Sequence, residues 1–88
     1  MYKVNYEAKA LKQLKKMDRF QAKIIVDWVE KNLVDTEDPR RIGKALGGNR
    51  SGEWRYRVGD FRLLAEIVDE KIVIHIIKIG HRRDVYES

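Results

Sequence analysis

The spacing of apolar positions changes several times along the chain, and each change marks an element. Residues 2–6, YKVNY, alternate and predict a short first strand. From Glu7 to Lys16 the period lengthens. Leu11 and Leu14, with Met17 following, fall at helical spacing, with lysines on the other side. Asp18 with Gln21 three residues later has the form of a capping box. It opens a second helix carrying Phe20, Ile24, Ile25, Trp28, Val29 and Leu33, a broad apolar stripe that ends before the acidic run DTED and Pro39. Residues 39–52, PRRIGKALGGNRSG, read as a loop with room for a short strand at Lys44–Leu46. Strand patterns return at 53–58, 61–68 and 72–79, where Gly80 breaks the last one and a short turn or helix follows. The expected fold is α+β, in the order β-α-α-β-β-β. A mainly antiparallel, four-stranded sheet packs one apolar face on a helical hairpin.

The middle hairpin, EWRYRVGDFR, fixes its own register. Gly59–Asp60 suits a two-residue turn of type II′, with glycine supplying the positive φ. Val58 then pairs with Phe61, Tyr56 with Leu63 and Trp54 with Ala65, all on the buried face. The other face pairs Arg57 with Arg62 and Arg55 with Leu64. A slip of one residue would drive the arginines into the core, so this register is strongly specified. The last strand, IVIHIIKI, is apolar on both sides and is expected to be central. Its pattern leaves the faces of His75 and Lys78 open, with His75 read as a core or pairing residue.

Composition narrows the class. Eighty-eight residues, 43% hydrophobic and 38% charged, predict one globular domain spanning 1–88. No apolar run approaches a membrane span, and the N-terminus lacks the long apolar segment of a secretory signal. With no cysteine and two histidines, neither a disulfide nor a structural metal site is expected, and the cytoplasm is the expected compartment. The net charge is +5, and its position says more than its size. Residues 40–62 hold seven Lys/Arg against two Asp/Glu, a local excess of +5. Such a concentration favours a polyanion, nucleic acid or an acidic protein. The glycines of the loop do not make a phosphate loop, because the Gly-Lys-Ser/Thr ending is missing.

Opposed arginines repel weakly on a solvated face, and the repulsion disappears when an anion sits between them. Guanidinium forks fit phosphate well. The C-terminal GHRRDVY adds His81, Arg82, Arg83 and Tyr86 at the end of the last strand, where they are expected to converge with the hairpin arginines.

Together PRRIGKALGG, WRYRVGDFRLLAEI and IKIGHRRDVY resemble the RelE toxins of the RelE/ParE superfamily, over essentially the whole chain. That resemblance implies a toxin of a type II toxin–antitoxin system. Its activity would be that of a ribosome-dependent, metal-independent endoribonuclease, an mRNA interferase that cuts messenger RNA in the ribosomal A site. It implies no cofactor, and as partners the ribosome, its mRNA and a cognate antitoxin, expected to be acidic and to fold on binding. By position the catalytic set maps onto Arg55, Arg57, Arg62, Arg82 and Tyr86. Where some members carry lysines on the first hairpin strand, this chain has Arg55 and Arg57, which stay protonated and make poor bases. His81 is the candidate for proton transfer, against a plain role capping the strand end. Tyr86 either stacks on a base or anchors the tail. Arg40, Arg41, Lys44, Arg50 and Arg83 are expected to hold RNA or ribosome backbone. The alternatives are a ParE-like inhibitor of DNA gyrase without nuclease chemistry, and a plain nucleic-acid-binding module.

Overall fold

A computed structural model describes residues 1–46 and 52–81. Strand β1 (Lys3–Tyr6) leads into helices α1 (Ala8–Lys16) and α2 (Arg19–Asn32); β2 (Lys44–Ala45), β3 (Glu53–Val58), β4 (Phe61–Val68) and β5 (Val73–His81) follow. The sheet has five strands in the order β1-β5-β4-β3-β2. Here the count departs from the expected four. Lys44 and Ala45 pair antiparallel with Arg55 and Trp54, so the short strand in the glycine-rich loop becomes an edge of the sheet. At the opposite edge, β1 lies parallel to β5.

Local chemistry explains the helices. The Asp18 carboxylate accepts the Gln21 backbone N–H at 3.1 Å, as the capping pattern predicts. Ala10 of α1 and Ile25 and Val29 of α2 are buried against the sheet, with Leu33 just past the helix end. The contact stripe is narrower than the sequence implies. Phe20 is 73% exposed and Ile24 41%, because the residues that meet the sheet follow the line Ile25–Val29–Leu33. On the sheet side Tyr56, Leu63, Ile74, Ile76 and Ile79 complete the core.

Hairpin β3–β4 adopts the expected register at every pair. Gly59 has φ 60° while Asp60 does not have positive φ, the pattern of a II′ turn. Between β4 and β5 the ladder shifts at Leu64/Ala65: Leu64 faces Lys78, while Ala65 faces Ile76. Ile77 is therefore an extra residue in β5, a bulge. Its effect is on parity. His75 and Lys78, three apart, come to the same face, and Ile74, Ile76 and Ile79 all reach the core. The last strand also runs through Gly80 to His81, beyond its expected end at 79.

Candidate functional site

Alternation along β3 and β4 sends Arg55, Arg57 and Arg62 to the face away from the helices, with Arg57 directly opposite Arg62. Pairing of β2 adds Lys44 beside Arg55 on that face. These four side chains, with Gly43 and Tyr56, line an open cleft of about 260 Å³. It is smaller than the roughly 300–1,000 Å³ typical of small-molecule pockets, and it suits part of a polymer better than a whole enclosed ligand.

The two opposed arginines live in different surroundings. Arg57 is exposed, as expected of a solvated face. Arg62 is not: it retains 5% exposure, and its Nη1 donates to the carbonyls of Gly59 and Phe61, each at 3.1 Å. The turn thus holds the Arg62 guanidinium in place, because a buried cation needs acceptors. Across the ladder from Arg62 stands Gly80. It has no Cβ to intrude on that face. The glycine read as a strand breaker instead continues the strand beside the cleft.

The loop leading to β2 is fastened to the sheet by four contacts. The Tyr56 hydroxyl donates to the Pro39 carbonyl at 2.6 Å, and Trp54 Nε1 donates to that of Ile42 at 2.7 Å. Arg40 grips Asp69 through two bonds of 3.0 and 3.1 Å, and its guanidinium lies 6.0 Å from the centre of the Trp54 ring. Tyr2 donates its hydroxyl to the same Asp69 carboxylate at 2.7 Å. The Arg40 guanidinium, and then the Tyr2 hydroxyl, hold the Asp69 carboxyl below its ordinary range. Burial pushes the Tyr56 phenol well above its own. Gly43 completes the seat with φ 86°: a Cβ there would stand 2.5 Å from the Arg55 carbonyl oxygen and 2.6 Å from Trp54 Nε1. Only glycine fits.

Several expected site residues fall elsewhere. Arg40, expected to hold RNA, is committed to Asp69 and acts as a strut for the loop. Arg41 stays exposed on that loop. His81 pairs with Phe61, its ring 5.8 Å from the Phe61 ring at an interplanar angle of 75°. That register sets its side chain on the Phe61 side of the sheet, opposite the guanidinium face, so His81 does not line the cleft. Arg50, Arg82, Arg83 and Tyr86 lie outside the described residues. His75, read as a core or pairing residue, stands half-buried on the open face, its Nδ1 3.0 Å from Asn5 Nδ2 and 3.8 Å from Glu7. Sequence reading missed Gly43 as a lining residue, and the one signal for it was its place immediately before the short strand expected at Lys44–Leu46. Lys78 also comes to the open face, for the parity reason given above.

The sequence matches the family described as ParE toxin of type II toxin-antitoxin system, parDE, over residues 4–86. It is 31% identical over 85 residues to Toxin RelG of Mycobacterium tuberculosis, covering 97% of this chain and 95% of that protein. To the mRNA interferase toxin RelE of Escherichia coli it is 26% identical over 91 residues, covering 99% and 92%. Among solved structures, a chain of the toxin-antitoxin complex RelBE2 from M. tuberculosis superposes with a TM-score of 0.79 at 30% identity, covering 92% of this chain and 91% of that one. The isolated E. coli RelE toxin shares the fold, with a TM-score of 0.72 at 21% identity, covering 99% and 93%.

Proposed function

The chain belongs to the ParE toxin family of type II toxin–antitoxin systems, within the RelE/ParE superfamily, and from that premise we propose that it is a ribosome-dependent endoribonuclease that cuts messenger RNA in the ribosomal A site. The supporting observation is the cleft itself: Lys44, Arg55, Arg57 and Arg62 around one opening on the face of the sheet away from the helices. In the proposed reaction a ribose 2′-oxygen forms a bond to the adjacent phosphorus, and the bond to the 5′-oxygen of the next nucleotide breaks. A 2′,3′-cyclic phosphate and a free 5′-hydroxyl result. Charge builds on the phosphorane oxygens, and preorganised cations lower that barrier most effectively when they need not move. Arg62, fastened to the turn, and Arg57 opposite it fill this role. Arg55 and Lys44 position the phosphodiester.

Arginine does not take up a proton at neutral pH, so these residues leave the 2′-hydroxyl proton to another group. The reading assigns proton transfer to the end of β5 and the tail, with His81, Arg82 and Tyr86 carried over by family resemblance. For His81 to take part, its ring has to leave Phe61 and turn around the sheet end.

Neighbouring structures include a RelBE toxin-antitoxin complex from E. coli and an archaeal RelE-RelB complex from Pyrococcus horikoshii. By the same reading this chain has a cognate antitoxin whose acidic segment covers the cationic face. The family description names ParE, which favours gyrase inhibition as the second reading. Cell-free translation with purified toxin, mapping the 5′ ends of the message, separates the two. Nuclease action gives cuts inside A-site codons that Arg57→Ala reduces by about 10²-fold or more, the scale of losing one oxyanion donor. Intact messages with inhibited supercoiling would assign the protein to gyrase instead.

A further inference from the structure

Lys78 lies within the motif IKIGHRRDVY, where the resemblance gives it no role in the site, yet the bulge at Ile77 brings it to the open face. Through the ladders, Lys44 faces Arg55, Arg55 faces Leu64 and Leu64 faces Lys78. Directly paired residues point to the same side, so these four form one row crossing four strands. The row spans three strand spacings, about 14 Å between its end residues. A stacked strand advances about 3.4 Å per nucleotide, so the row is long enough for more than one phosphate of such a strand. Lys78 is also the diagonal neighbour of Arg62, at a typical separation of roughly 7–8 Å, on the side away from Lys44. Among the described residues no carboxylate is within ion-pair distance of Lys78, and its side chain is half-buried.

The next row restricts the path. Glu53 faces Glu66, and Glu66 faces His75, on the same side of the sheet. A phosphate chain is repelled from that carboxylate row and is confined to a corridor bounded by the II′ turn. Within the corridor, half-buried Leu64 offers apolar surface between Arg55 and Lys78. We propose that Lys78 is a further phosphate-binding residue of this site. It holds the backbone phosphate next to the one cleaved, on the β5 side, so that the RNA crosses the strands and does not run along them. This rests on the reading that the cationic face binds RNA.

The test is equilibrium binding of a fluorescent single-stranded RNA carrying 2′-O-methyl groups, which cannot be cut, across a range of salt. Loss of one phosphate contact lowers the slope of log affinity against log salt by about 0.7 on a single strand. Lys78→Ala and Lys78→Gln are both expected to show that change, with affinity several-fold weaker at low salt. Lys78→Arg is expected to restore it, and Lys31→Ala, on exposed α2 surface, to leave the slope untouched. A wild-type slope in Lys78→Ala and Lys78→Gln, alongside a reduced slope in Arg57→Ala, would overturn the assignment of Lys78 and leave the RNA reading standing. Absence of any salt-dependent RNA binding by the wild type would overturn both.

Discussion

Arg57 and Arg62 are alike in sequence and opposed in the ladder, but one is free in solvent and the other is held by the turn. Their substitutions should therefore separate. Arg57→Ala removes an exposed cation, so its denaturation midpoint is expected to stay within about 0.5 kcal/mol of wild type while cleavage falls steeply. Arg62→Ala also takes the donor from the Gly59 and Phe61 carbonyls, at a net cost of about 1 kcal/mol. Paired urea titrations and cleavage assays check this, and equal stability losses would contradict the assigned environments. The difference was invisible in the sequence. Alternation shows which face a side chain takes, but the bonds to turn carbonyls depend on how the hairpin twists. Arg40 makes the same point from the other direction. It looked like its basic neighbours, and its engagement depends on Asp69, 29 positions away.

Among the elements, the seat of the 39–43 loop determines whether the cleft has an edge. Gly43→Ala places a methyl group against the Arg55 backbone and the Trp54 ring, and does so at φ 86°. Strain of roughly 1–3 kcal/mol is expected, and the loop relieves it by lifting from β3. Trp54 fluorescence should shift as its bond to Ile42 opens, even at temperatures where the fold persists. The Asp69 clasp adds a pH dependence with a definite sign. Its folded-state carboxyl is depressed, so its stabilisation is present above the unfolded carboxylate range and is lost as pH falls through the folded value. Wild type should thus exceed Asp69→Asn in stability at neutral pH. The gap should close as acid protonates Asp69, and a gap independent of pH would remove the clasp from the stability of the loop. Most of the elements were legible because their periods differ sharply, and the hairpin register was legible because an error would bury arginines. The β5 bulge was not. In IVIHIIKI every register exposes some apolar residue, so no pattern marks Ile77 as the extra one.

For the whole molecule, net charge and charge position make different predictions. Residues 40–62 carry an excess equal to the entire +5, whereas residues 1–39, with eight basic and seven acidic, contribute only +1. If steering depended on net charge alone, replacing Lys12, Lys15 and Lys16 of α1 by glutamine, which leaves +2, would slow association with ribosomes more than replacing Arg41 and Lys44, which leaves +3. The fold argues for the reverse. Those α1 lysines are exposed on the helical layer, while Lys44 lines the cleft on the other face of the sheet. With a Debye length of about 8 Å at physiological salt, a charge beyond the sheet is largely screened from a phosphate arriving at the cleft. The double variant is expected to have the lower association rate and the shallower dependence of that rate on salt, measured by stopped flow over increasing ionic strength. A greater effect from the three helix lysines would mean that the ribosome approaches the helical layer, and that the cleft is not where the polyanion first meets this protein.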